Sequence, residues 1–103
     1  MIIDLRTYTL RVGTARAFLE QYEREGYDVQ REYLGDPVGY FTTEVGELTE
    51  LVHMWKYTSM ADREERRAKL EADPRWNAYR RSAGDVVLGQ RNSILKSTSF
   101  SPL

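Results

Sequence analysis

ELVHMWKY, residues 50–57, carries apolar or aromatic side chains on both sides of what reads as a β-strand. Side chains alternate across a strand, so Leu51, His53, Trp55 and Tyr57 share one face and Val52, Met54 and Lys56 the other. An antiparallel sheet with one wet face alternates apolar with polar residues. This strand does not, so both of its faces need cover. The preceding stretch, VGYFTTE at 38–44, repeats the pattern, with Val38 and Tyr40 on one side and Phe41 on the other. Val45 to Thr49, containing Gly46, joins the two and is short enough for a hairpin. Helices from a chain of 103 residues can cover only one face of such a sheet. The other face needs a second layer, and an identical subunit is the simplest source. A homodimer is therefore expected.

Working outward, Ile2 to Leu10 is rich in β-branched and aromatic residues and reads as the first strand. Gly13 and Thr14 supply a turn and an N-cap. Ala15, Phe18, Leu19, Tyr22, Gly26, Val29 and Tyr33 then recur at helical steps, and Gly35 before Asp36-Pro37 ends the pattern. Gly26 is expected to bend or interrupt that helix. Ser59 with Asp62 is a capping-box spacing, and Asp73-Pro74 marks a fresh helix start. Trp76, Tyr79, Ala83 and Val86 or Val87 then fall on one helical face, and Gln90 to Thr98 reads as the last strand. The order β-α-β-β-α(α)-β predicts an α+β fold. It is a ferredoxin-like four-stranded antiparallel sheet with helices on one face, formed by residues 1–103 as a single domain.

Composition removes whole classes of chemistry. With no cysteine there is no disulfide framework, thiol nucleophile or cysteine-held metal, and a single histidine excludes a multi-histidine site. No metal or other cofactor is expected. A net charge of −1 does not suggest a nucleic-acid or anionic-membrane surface. The start MIIDLR is unlike a secretory signal, and no apolar run approaches the roughly 20 residues of a membrane span. A cytoplasmic location is the default expectation. There is no GxSxG, P-loop or GxGxxG motif.

The collinear segments DLRTYTLRVG, EQYEREG, QREYLG, VGYFTTEVGELTELVHMW and ADPRWNAY, with a late NSIL, closely resemble the NIPSNAP family from about residue 3 to residue 102. The resemblance implies a dimeric α/β barrel in which two ferredoxin-like subunits face each other through their sheets, each with a pocket beside its helices. The family's activity is not well defined. Similar barrels include cofactor-independent monooxygenases and haem-degrading enzymes, so an enzyme is the alternative to a binding protein.

His53 is the candidate catalytic residue, because only its side chain titrates near neutrality when unperturbed. In an aromatic pocket it is a candidate proton acceptor or axial ligand, and otherwise a packed histidine. Asp4, Arg6 and Tyr8 form a same-side set on the first strand. Arg6 is suited to hold an anion and Tyr8 to donate a hydrogen bond, or the trio forms a salt-bridged rim. Tyr40, Trp55 and Tyr57 are candidate walls for a flat apolar or aromatic ligand, and Asn92 is a candidate amide donor. Trp76 and Tyr79 read as core. The charges of Asp62 to Glu71 read as a solvated helix face stapled by Asp62–Arg66 and Glu65–Lys69.

Overall fold

The computed structural model describes all 103 residues. Strand β1 (Ile2–Leu10) leads into helices α1 (Ala15–Glu25) and α2 (Tyr27–Leu34), then the hairpin of β2 (Gly39–Thr42) and β3 (Glu50–Tyr57). Helices α3 (Met60–Ala72) and α4 (Pro74–Ala83) precede β4 (Val87–Lys96). The sheet runs β2-β3-β1-β4 with every neighbouring pair antiparallel, as a ferredoxin-like chain requires.

Local chemistry sets most of the boundaries. The Ser59 hydroxyl accepts from the Asp62 amide at 3.1 Å, and the Asp62 carboxylate accepts from the Thr58 amide at 2.9 Å, closing the start of α3 reciprocally. The Asp73 carboxylate accepts from the Arg75 amide at 2.8 Å and Pro74 takes the first turn, so α4 starts afresh. Gly26 separates α1 from α2, although the Gln30 amide still reaches the Gly26 carbonyl at 2.9 Å.

Three expected boundaries move. The second strand is shorter than Val38 to Glu44, spanning only Gly39–Thr42. Helix α4 stops at Ala83 because Gly84 takes φ +72°, so Val86 and Val87 lie beyond it and Val87 opens β4. The last strand consequently starts three residues earlier than Gln90 and ends two before Thr98.

Registry assigns the faces. Ile2, Asp4, Arg6 and Tyr8 stand opposite Tyr57, Trp55, His53 and Leu51, and this is the face beneath the helices. One end of it is filled by Ile2, Val29, Leu34, Trp55, Tyr57 and Leu70. At the other end Leu10, Phe18 and Leu51 form a smaller cluster. The opposite face carries Leu5, Val52 and Met54, all part-exposed, with Phe41 51% and Leu95 42% exposed. No helix is long and apolar enough to cross a membrane.

Candidate functional site

Between the two clusters the helical layer stands away from the sheet and leaves a cavity of about 220 Å³. Tyr8, Tyr40 and His53 rise from the sheet; Phe18, Tyr22 and Gln30 descend from α1 and α2; Trp76, Tyr79, Arg80 and Ala83 come from α4. Gly84, Val87 and Gln90 close the side toward β4. The Tyr22 and Tyr40 rings stack at 5.1 Å and separate this cavity from a wider, shallower depression that carries Glu23 and Asp28.

His53 is held on several sides. Its ring stacks on Tyr40 at 4.5 Å with an interplanar angle of 11° and meets Tyr8 edge-on at 4.7 Å. The Trp55 indole N–H donates to Nδ1 at 2.8 Å. An indole nitrogen only donates, so Nδ1 is the acceptor and the imidazole proton sits on Nε2. That Nε2–H is buried with no protein partner. Burial, reinforced by the Arg6 guanidinium, lowers the His53 pKa to about 3, so the ring is neutral at physiological pH. The side chain is therefore presented as a donor. A base or an axial ligand needs the Nε2 lone pair, and exposing it would cost the Trp55 bond.

Behind the cavity runs a buried ionic chain. Asp4 is fully buried, and one of its oxygens accepts from Arg6 at 3.2 Å and from Arg63 at 3.0 Å. With its amide oriented as its neighbours require, Asn92 accepts from the same Arg6 nitrogen at 2.7 Å. The Tyr8 hydroxyl receives a long contact of 3.5 Å from Arg6. The Asp4–Arg6 pair is thus interior rather than a rim, and Arg6 is committed to partners within the chain. Burial raises the pKa values of the Tyr22 and Tyr40 hydroxyls far above the ordinary tyrosine range and takes Tyr79 to about 12, keeping all three protonated.

Of the residues singled out in the sequence, His53, Tyr8 and Tyr40 meet at the cavity. Trp55 and Tyr57 belong to the filled cluster, with Trp55 reaching the site through His53. Arg6 and Asn92 are partners of each other and do not line the cavity. Trp76 and Tyr79, which read as core, are walls, as are Tyr22, Gln30 and Arg80. Gln30 lies four residues after Gly26 and eight after Tyr22. That spacing places it on one helical stripe and was the available signal. No group of three or more His, Asp and Glu side chains is gathered as a metal site would need.

Relatives agree with this architecture. A NIPSNAP family protein of unknown function from Agrobacterium tumefaciens superposes with a TM-score of 0.96 at 44% identity, over 100% of this chain and 93% of that one. A putative NipSnap protein of Caenorhabditis elegans is 32% identical over 99% of this chain but only 19% of its own length. The chain spans 19% to 41% of the length of the curated relatives it matches. A putative antibiotic biosynthesis monooxygenase from Nitrosomonas europaea, covering 94% of this chain and 98% of its own, shares the fold with a TM-score of 0.66 at 13% identity. The family model for NIPSNAP matches residues 3–102, nearly the entire sequence, and the chain belongs to the NIPSNAP family.

Proposed function

We propose that this chain acts as a homodimer that binds a small aromatic molecule in the cavity between sheet and helices. The observation that carries the reading is the cavity itself, about 220 Å³ and walled by Tyr8, Tyr22, Tyr40, His53, Trp76 and Tyr79. Ligand pockets combine aromatic walls with a few placed polar groups, and drug-sized ligands take roughly 300–1,000 Å³. The volume here suits a molecule of one or two rings. Pairing is supported by the open sheet face, where Leu5, Phe41, Val52, Met54 and Leu95 make an apolar surface without cover from α1 to α4.

Catalysis is the second reading, favoured by the unpartnered Nε2–H of His53. A fixed donor facing a phenol oxygen stabilises the phenolate that remains once the substrate has given its proton to solvent water, since no side chain in the cavity is placed as a base. Such an electron-rich substrate reacting with dioxygen requires no resident metal. His53 would act as the stabilising donor in that scheme, with the substrate itself supplying the electrons.

Native mass spectrometry of freshly purified protein tests assembly and retained ligand together. The expected species has twice the 12.0 kDa chain mass. Titration with phenols and benzoates, followed by tryptophan fluorescence, should saturate. Saturation with no oxygen-dependent product supports binding alone, whereas turnover that falls in His53→Ala while affinity and dimer mass hold supports catalysis. A monomer at micromolar concentration removes the dimer, and absence of saturable binding removes the ligand site.

A further inference from the structure

The polar atoms at the cavity are uneven in kind. His53 offers Nε2–H and has its other nitrogen occupied by Trp55. The Gln30 amide oxygen accepts from the Tyr22 hydroxyl, which leaves the amide nitrogen of this cavity-lining side chain without an acceptor in the chain. The Tyr8 hydroxyl accepts its long contact from Arg6 and retains its own proton. At the rim stands Arg80, exposed in the last turn of α4 and outside every salt bridge the chain makes. No aspartate or glutamate lines the cavity.

The acceptors at the cavity are neutral, the Gln90 amide oxygen and the tyrosine hydroxyls, whereas the only formal charge in its lining is the unpaired Arg80, and that imbalance defines what a bound molecule has to bring. A cationic or donor-only ligand would leave His53 and Gln30 unmatched and would be repelled by Arg80. A neutral hydrocarbon ring would satisfy the walls but leave the buried Nε2–H of His53 unpaired and take water away from the Gln30 amide nitrogen. An oxygen-bearing anion satisfies all of them. Resting on the binding reading above and deepening it, we infer that the cavity is a site for small aromatic carboxylates. The ring lies among Tyr40, Trp76 and Tyr79, a ring oxygen accepts from Gln30 or His53, and the carboxylate pairs with Arg80 at the rim.

A matched set of probes tests this: 4-hydroxybenzoate, its neutral amide and 4-hydroxybenzylamine, titrated at fixed ionic strength against the full chain. The acid is expected to bind about tenfold more tightly than the amide, since a charge-assisted pair with a guanidinium is roughly twice as strong as a neutral hydrogen bond. The amine should bind weakest. In Arg80→Gln the gap between acid and amide should close, through loss of affinity for the acid alone, and Arg80→Lys should keep part of it. Arg80 is exposed, so thermal melts of both variants should match the parent. Equal binding of acid, amide and amine overturns the carboxylate assignment while leaving an aromatic site in place. Equal weakening of all three probes in Arg80→Gln also overturns it. Failure of every probe, neutral rings included, overturns both this assignment and the binding reading beneath it.

Discussion

Trp55 and His53 stand two residues apart on β3 and face the same way, yet they end in different surroundings. Over Trp55 and Tyr57, α2 and α3 bring down Val29, Leu34 and Leu70, branched side chains that pack on the rings and leave Trp55 fully buried. Over His53, α1 and α4 bring Tyr22, Trp76 and Tyr79, and α4 ends in Ala83 and Gly84. Flat rings meeting at 28° to 60° cannot fill a layer as branched aliphatics do. The same sheet face is therefore a core at one end and a cavity at the other. What decides between them is the helix side chains overhead, not the strand.

The largest test of that contrast is truncation at each end. Trp55→Ala removes a fully buried ring from the filled half and should cost about 3–5 kcal/mol, read as a lower urea midpoint with an unchanged slope. Tyr79→Ala trims a wall that already borders empty volume, so its loss should be about half as large while ligand affinity falls steeply. Equal stability losses would mean that the cavity wall is packed as tightly as the core.

Much of this layout was legible in ELVHMWKY and the caps. The two-faced strand, the Gly26 interruption and the Asp73-Pro74 restart are local patterns, and the structure contains each of them. The cavity was not legible in the same way. Periodicity reports that Tyr22, Trp76 and Tyr79 face inward, but it does not report whether something fills the space they face. Arg6 misled for a related reason. Its same-side neighbour Asp4 was visible, but Arg63 comes from α3, 59 residues away, and commits Asp4 and Arg6 to the interior. The Trp55–His53 bond also depended on the rotamers of two neighbouring side chains, which strand alternation places together without orienting them.

A middle-sized effect separates the halves by pH. The folded His53 pKa of about 3 lies below the ordinary value of 6.5, so between them the unfolded chain binds a proton that the folded chain does not. Stability from this group is complete above pH 6.5 and is lost as the pH falls toward 3. Between about pH 7 and pH 4.5 the loss should reach roughly 2–3 kcal/mol, with glutamates adding their own titration only at the acid end of that range. Urea denaturation across that range should show the slope in the parent chain and lose it in His53→Gln, whose amide oxygen can still accept from Trp55. A slope that survives the substitution would place its origin elsewhere, because no other histidine exists to supply it.

The smallest expected stability change is at Gly26, and it distinguishes the halves most finely. A methyl group there would meet the Tyr79 ring at 3.0 Å and Tyr22 at 3.1 Å, closer than ordinary van der Waals contact. In a filled core such a clash has no outlet, and overpacking costs about 1–3 kcal/mol. Tyr79, however, has the cavity beside it and can yield into empty volume. Replacing glycine by alanine also favours the helical backbone by up to about 1 kcal/mol, and φ −115° at this position does not oppose it. Gly26→Ala should therefore leave the urea midpoint within about 0.5 kcal/mol of the parent while aromatic probes bind several-fold more weakly, because the displaced ring occupies their space. If stability falls by the full overpacking cost instead, Tyr79 has nowhere to go, and the contrast between a filled and a hollow half of this layer is lost.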